Sequence, residues 1–319
     1  MRALVVGGAG FIGSNLCEIL LKEKNKLVCI DNLLLGRKEN IKEFLHNKNF
    51  TFYEGDATNG TFLTEIFMCE RPEIIFHLAA NSDIQASAKN PQIEYRNTYT
   101  TTFTILECMR QCGIKQLFFA STSAVYGDKR NIALTEETPN LSPISYYGAA
   151  KLGSEALIHA YSYMNDMKTL IFRFPNVIGP KLTHGVVYDF IRKLSRDKEV
   201  LNILGDGRQT KPYIYVKDLV EAIIHFTNVM KTGVEIYNLG VTGSTSVRQI
   251  ADIVCEVMGL ENVRYEFTGG ESGWKGDVPQ FQYSLDKIHK TGWKARYNSD
   301  EAVKQAVRDA IMERKTDVR

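Results

Sequence analysis

A short β-branched run, Ala3–Val6, leads directly into Gly7-Gly8-Ala9-Gly10-Phe11-Ile12-Gly13, and the residues after it carry Leu16, Ile19 and Leu20 at helical spacing. Glycines at 7, 10 and 13 permit a tight turn, let backbone N–H groups approach an anion, and let the next helix pack closely on a sheet. The free N–H groups at the start of that helix then face the anion. A strand that turns through three glycines into a helix opens a layered α/β fold and predicts a pyrophosphate site.

The rest of the first 175 residues keeps this rhythm. Strands are predicted at Leu27–Ile30, Phe50–Tyr53, Ile74–Leu78, Gln116–Ala120 and Thr169–Phe172, separated by longer helical patterns. Such βαβ repetition implies an α/β fold with a Rossmann-type doubly wound parallel sheet. Residues 97–104 read Asn-Thr-Tyr-Thr-Thr-Thr-Phe-Thr, a strand-like composition inside a crossover. Topology outweighs propensity there, and a helix is predicted. Beyond residue 175, Gly179-Pro180 and Gly205-Asp206-Gly207 separate shorter elements, with helices predicted at Val187–Ser195, Val216–Val229, Val247–Met258 and Asp300–Arg314. The chain is therefore divided into a dinucleotide-binding domain, 1–175, and a smaller C-terminal α/β lobe, 176–319, some of whose elements return to the first domain.

Composition removes several function classes. With 39 basic against 37 acidic residues the net charge is +2, too small a field for binding nucleic acid. Among six cysteines no pair has C-x-x-C spacing; they read as reduced core thiols, and no metal is expected. The N-terminus carries too many glycines and too short an apolar stretch for a signal peptide, and no apolar run spans a membrane, so a cytoplasmic protein without membrane partners is expected.

Asp31 closes the second strand. A carboxylate there accepts hydrogen bonds from both ribose hydroxyls of NAD and repels the extra phosphate of NADP, so NAD is the expected cofactor. Arg37 and Lys38 are the nearby cations that could offset this repulsion. Asp56, in Gly55-Asp56-Ala57, suits either the adenine edge or a cap on its own loop. Tyr147 and Lys151 have i, i+4 spacing and share one helix face. Lowering a phenol from about 10 to about 7 takes roughly 4 kcal/mol, and an ammonium a few Å away supplies about that at an effective dielectric near 20. The pair is a credible proton shuttle between alcohol and carbonyl. Tyr146 has no lysine four residues on.

These features stand with Ala120-Ser-Thr-Ser-Ala-Val-Tyr-Gly127, His77-Leu-Ala-Ala80, Arg173-Phe-Pro-Asn176, the segment from Gly205 to Asp218, and Tyr237-Asn-Leu-Gly240. Together they resemble the extended short-chain dehydrogenase/reductase family, and within it the nucleotide-sugar 4-epimerases similar to UDP-glucose 4-epimerase. The resemblance implies Tyr147 as acid/base, Lys151 as its activator, and Thr122 as the hydroxyl on the reacting sugar oxygen, with Ser123 and Tyr126 nearby. It implies a cofactor site of Gly7, Gly10, Phe11, Ile12, Asp31, Asn32, Asp56, Ala57, Leu78, Ala79, Ala80, Asn97, Tyr147, Lys151 and Phe174. For the nucleotide-diphospho-sugar it implies Ser82, Thr122, Ser123, Tyr147, Asn176, Val187, Lys211, Tyr213, Lys275 and Asp277. His77 reads as a structural histidine at a strand end.

Two departures from the family pattern concern recognition. Lys211 stands where many relatives carry an arginine, giving a point charge without a bidentate fork. Trp274-Lys275-Gly276-Asp277 replaces the usual R-P-G-D, with Lys275 expected to supply the charge and Asp277 to hold the nucleotide ribose. Ser123 and Ala124 occupy the positions where 4,6-dehydratases carry an acidic pair, so elimination of water lacks its proton carriers. The expected reaction is NAD-dependent 4-epimerisation of a UDP-hexose or close relative through a transient 4-keto sugar. An NAD-linked nucleotide-sugar dehydrogenase, an epimerase acting at another carbon such as C2, and a catalytically silent NAD sensor are the alternatives. A homodimer through the helix carrying Tyr147 and the long helix before it is expected from the resemblance.

Overall fold

The computed structural model describes residues 1–130, 132–270 and 276–317. The chain forms two compact units: residues 1–125, 141–173 and 220–237 in the first, and 126–140, 174–219 and 238–319 in the second. Where the sequence suggested a change of domain at 175/176, segment 126–140 already belongs with the second unit and 220–237 returns to the first.

The first unit is built on a seven-stranded sheet. Its strands are β1 (Arg2–Val6), β2 (Lys26–Asp31), β3 (Phe50–Glu54), β4 (Ile74–His77), β5 (Gln116–Thr122), β6 (Lys168–Phe174) and β7 (Gly233–Asn238), in spatial order β7-β6-β5-β4-β1-β2-β3. The pairs β1–β2, β1–β4, β2–β3 and β4–β5 are all parallel. The order reverses between β1 and β4, the switch point outside which a doubly wound sheet binds its ligand. Near-continuous burial along β1, β2 and β4 is what helices on both faces require. Those helices include α1 (Phe11–Lys22), α2 (Gly60–Glu70), α3 (Ile84–Lys89), α4 (Gln92–Glu94), α5 (Thr101–Cys112) and α6 (Tyr146–Met164). Leu4, Val28, Ile66, Leu106, Phe119 and Ile158 are members of one apolar core.

The strand-like stretch before α5 is helical, as topology required, but not regular: residues Tyr95–Thr100 form a π-turn that runs into α5. Ser145 caps α6 by accepting from Gly148 N. A Cβ at Gly148 would lie 2.6 Å from the Ala124 carbonyl oxygen, so only glycine lets α6 start this close to the end of β5.

Among its described residues the second unit replaces one broad sheet with four two-stranded ones. Asn176–Ile178 pairs with Tyr213–Tyr215, Val200–Ile203 with Arg264–Phe267, Ala133–Leu134 with Gln282–Tyr283, and Thr210–Lys211 with Thr245–Ser246. Helices Val186–Leu194, Val247–Met258 and Ser299–Asp317 bury Ile191, Val254 and Val303 in a second core. Among the described residues no helix is long and apolar enough to cross a membrane.

Candidate active site

The glycine turn sits between β1 and α1. Gly7 has φ +85° and its N–H donates to Ile30 O at 2.8 Å. A Cβ there would lie 2.7 Å from Ala79 N, and a Cβ at Gly13 would lie 2.1 Å from Gly7 O. Backbone fills the space that side chains would need, and the start of α1, with half-buried Phe11 and Ile12, presents its N–H groups past Gly10. Leu78, Ala79 and Ala80 follow β4 beside this turn.

Asp31 is 7% exposed at the end of β2. It accepts from Ala9 N at 2.9 Å and Leu33 N at 2.8 Å, which leaves lone pairs for further donors. Burial pushes its carboxyl up, against the opposing hydrogen bonds from Leu33, Ala9 and Gly10. Lys38 pairs with Glu54 at 3.7 Å, and Asn32 is exposed, accepting from Leu34 N. Asp56 performs the loop-capping role: Oδ1 accepts from Thr58 N and Oγ1, and Oδ2 pairs with Arg96 at 2.9 Å. Burial works against its ionisation, but the Thr58 and Arg96 contacts outweigh it and lower the carboxyl. Ala57, next to it, is buried.

Tyr147 and Lys151 lie one turn apart on α6, as the spacing required. The Tyr147 phenol lies beside the Thr122 side chain at the end of β5. Lys151, 2% exposed, donates from Nζ to Ala120 O at 2.6 Å and lies 4.5 Å from the centre of the Phe119 ring. Burial draws its ammonium down to about 8, while Glu94 and Glu155 support the charge. Burial and the Glu94 charge push the Tyr147 phenol well above its ordinary value, and the neighbouring Thr122 hydroxyl works against them. Tyr146 is 53% exposed, so the two neighbouring tyrosines occupy different environments. Behind the pair, Glu155 accepts from Ser121 and forms a buried ion pair with Arg173 at 2.8 Å. His77 is fully buried with Nε2 2.9 Å from Thr102 Oγ1, and burial followed by the Lys151 charge lowers it well below 6.5. It is a neutral structural ring.

In the second unit, Lys211 Nζ and Asp277 Oδ1 form an ion pair at 2.5 Å. Tyr213 is buried, and its phenol is pushed up by burial and then by Asp277. Asn176 opens its strand and is half-buried. One site expectation changes, and two residues that stood only in the segments carrying the resemblance lie in the interior. Val187, 2% exposed, belongs to the second core rather than to an open ligand surface. Tyr126 is completely buried, its hydroxyl donating to Asn238 Oδ1 at 2.7 Å. Arg173, one of the residues that carried the resemblance, is structural. Phe174 is buried and its carbonyl accepts from Tyr283 Oη; Ser123 is half-buried, Ser82 is exposed, and Lys275 lies outside the described residues.

Comparison with known proteins bears directly on this geometry. Residues 3–240 match the NAD dependent epimerase/dehydratase family. The chain belongs to that family. A UDP-glucuronate 4-epimerase of Thermodesulfobacterium geofontis is 31% identical over 95% of this chain and 94% of its own. A crystal structure of a UDP-galactose 4-epimerase is 36% identical with a TM-score of 0.86, covering 98% of this chain and 99% of the other. The Thermotoga maritima UDP-glucose 4-epimerase, solved with UDP-glucose, is 31% identical with a TM-score of 0.88, covering 99% of both chains.

NAD is the cofactor of this epimerase/dehydratase family, and the turn fits it: the backbone cradle that a Cβ would fill at Gly7 and Gly13 and the Asp31 carboxylate are the two features a dinucleotide needs. The sequence reading missed Asn81, Glu94 and Thr98. Asn81 Nδ2 donates to Glu94 Oε1 at 2.7 Å, Thr98 Oγ1 donates to Glu94 Oε2 at 2.7 Å, and Asn81 N donates to Thr98 Oγ1. Thr98, rather than the half-buried Asn97 before it, carries the buried contacts of this stretch. The adjacent alternation of polar types around Glu94 gave no signal of burial.

Proposed function

We propose that this protein is an NAD-dependent 4-epimerase of a UDP-hexose or a closely related nucleotide-diphospho-sugar. The observation that carries the reading is the face of α6 on which Tyr147, beside Thr122 at the end of β5, lies one helical turn from the buried Lys151 ammonium. Thr122 and Tyr147 hold the sugar O4 between two hydroxyls. Tyr147 takes the proton of the 4-hydroxyl, and Lys151 stabilises the phenolate that proton transfer requires. NAD supplies the acceptor for the C4 hydride and its return. Tyr147 then gives the proton back once the 4-keto sugar has presented its opposite face.

Ser123 and Ala124 support epimerisation over dehydration, because neither can carry a proton to or from carbon. Lys211 and Asn176 are assigned to the diphosphate and Asp277 to the nucleotide ribose, so substrate phosphate competes with Asp277 for the Lys211 ammonium. Homodimerisation is part of the reading. Phe103 on α5 is 45% exposed and Tyr163 on α6 is 85% exposed, apolar surface that a second copy would cover; a monomeric sedimentation profile at micromolar concentration would contradict it.

A panel of UDP-, CDP- and GDP-sugars, followed by chromatography of the products, tests the reaction. Interconversion of C4 epimers without added NAD supports the reading. Accumulation of NADH at 340 nm with an oxidised sugar would make the protein a dehydrogenase instead.

A further inference from the structure

Ala9, at the centre of the glycine turn and fully buried, has both of its backbone groups engaged by the chain that follows β2. Its N–H donates to Asp31 Oδ2 at 2.9 Å, and its carbonyl accepts twice, from Arg37 N at 3.0 Å and from Asn40 Nδ2 at 2.9 Å. A carbonyl only accepts, so the amide nitrogen is the end of the Asn40 side chain that faces it. Asn40 belongs neither to the phosphate turn nor to the ribose carboxylate, and it reaches the turn from 31 positions along the chain.

Between Asp31 and Arg37 the chain folds back tightly. Leu33 N donates to Asp31 Oδ1 at 2.8 Å and Leu34 N to Asn32 Oδ1 at 3.1 Å, with Leu33 at φ +56°. A left-handed leucine is an unfavourable conformation that persists only where its surroundings hold it. A Cβ at Gly36 would lie 2.6 Å from Asp31 Oδ1, so the returning chain passes directly against the carboxylate. Asn40 is the far anchor of this loop. It lies in the 3₁₀ helix Lys38–Phe44, whose Ile41 and Phe44 are buried, with Phe44 edge-on to Phe50 of β3. The loop is thereby tied at one end through Asp31, and at the other through Arg37 N and Asn40, to the same residue of the turn.

We propose that Asn40 is a positioning residue for the adenosine end of NAD: its amide holds Ala9 O, closes loop 32–37 onto the glycine turn, and keeps the pyrophosphate cradle and the Asp31 carboxylate in one fixed relation before the cofactor arrives. The proposal rests on NAD binding at the glycine turn and is independent of the sugar chemistry. Preorganisation of this kind appears as affinity, because an ordered loop has less conformational freedom to lose on binding. The amide is required for its donor. Aspartate has the same shape but no proton to give when ionised, and sets a carboxylate against a carbonyl oxygen.

Calorimetric titration of the full chain, freed of nucleotide, with NAD and with ADP-ribose reads this directly. Asn40→Ala should raise the Kd of both ligands by the same factor, about tenfold, the scale of one hydrogen bond, and Asn40→Asp by at least as much. With NAD supplied in excess, kcat should stay at the wild-type value. Asn25→Ala is the control for a merely structural role, since it deletes a bond of the same kind, Nδ2 to Leu20 O at 3.0 Å, beyond the other end of α1; it should lower stability and leave both Kd values unchanged. An unchanged Kd in Asn40→Ala, or an equal loss in Asn25→Ala, would overturn the proposal. If neither Asn40 variant folds, hydrogen exchange of the nucleotide-free wild-type chain decides: slow exchange at Arg37 N–H is expected, and exchange as fast as in an unstructured peptide would show an open loop and overturn it too. Binding is read without any sugar, so its failure leaves the epimerase reading to be judged by product analysis.

Discussion

The two units hold their functional residues in different ways. In the first, Thr122 and Lys151 are fixed by a broad sheet and by bonds between distant parts of the chain, such as Lys151 to Ala120, 31 residues away, and Arg173 to Glu155. In the second, the residues assigned to the nucleotide lie on short paired strands and loops, and Lys211 and Asp277 bond to each other. On the proposed function, the chemistry is mounted on a frame that resists change, and recognition on small pieces whose contacts a ligand could exchange.

The sharpest way to break this contrast is to attack the frame. Arg173→Leu strands the Glu155 carboxylate at 3% exposure and should cost about 3–5 kcal/mol in denaturant unfolding; a loss within experimental error would show that the buried pair does not hold the site. Next in size is the chemistry: Tyr147→Phe should lower kcat at least about a hundredfold with the fold intact, while Tyr146→Phe stays close to wild type. If Tyr146→Phe were the more damaging, the wrong face of α6 would have been assigned. In the second unit, Lys211→Ala should raise KM about tenfold, the scale of one charged hydrogen bond, with little change in kcat. A loss confined to kcat would place Lys211 in the chemistry instead. The smallest effect compares like with like: Asn59 caps α2 and Ser246 caps Val247–Met258 with a full capping box, and alanine at either should cost about 1 kcal/mol without touching catalysis.

Lys151 adds a pH signature belonging to the first unit alone. Its native value is lowered from 10.5 to about 8, so between those two values the unfolded chain holds the extra proton and stability rises with pH. Below about 8 both states are protonated and the contribution is constant. The difference between wild type and Lys151→Met in unfolding free energy should therefore vary across pH 8–10 and be flat from pH 6 to 7. A flat difference over the whole range would mean that burial does not depress Lys151.

The same contrast explains what was legible beforehand. The glycine turn, Asp31 and the Tyr147–Lys151 spacing are local patterns, and the β-branched runs of the parallel strands are near-continuous, so the first unit could be read from short windows. Val247–Met258 was legible for the same reason, being amphipathic and capped. Glu94 was not: its burial goes with the bonds that Asn81 and Thr98 donate to its two carboxylate oxygens, and no local pattern marks it. Thr98 was missed because a π-turn advances more residues per turn than an α-helix and shifts which side chain faces inward. Val187 was expected at the substrate, while packing within the second unit buries it in the second core. Segment 220–237 shows the same limit, since nothing in its own composition says that it completes the first sheet.

The central claim is that C4 loses and regains one hydride while Tyr147 handles only the hydroxyl proton. A UDP-hexose deuterated at C4, turned over by the purified protein and analysed by mass spectrometry and NMR, tests it directly. The account predicts that the product keeps the C4 deuterium, and that unlabelled substrate run in D2O gains none at any ring carbon. Solvent deuterium at C3 or C5 would contradict it by revealing a carbanion route, and loss of the C4 label would mean that the hydride leaves the site between the two half-reactions.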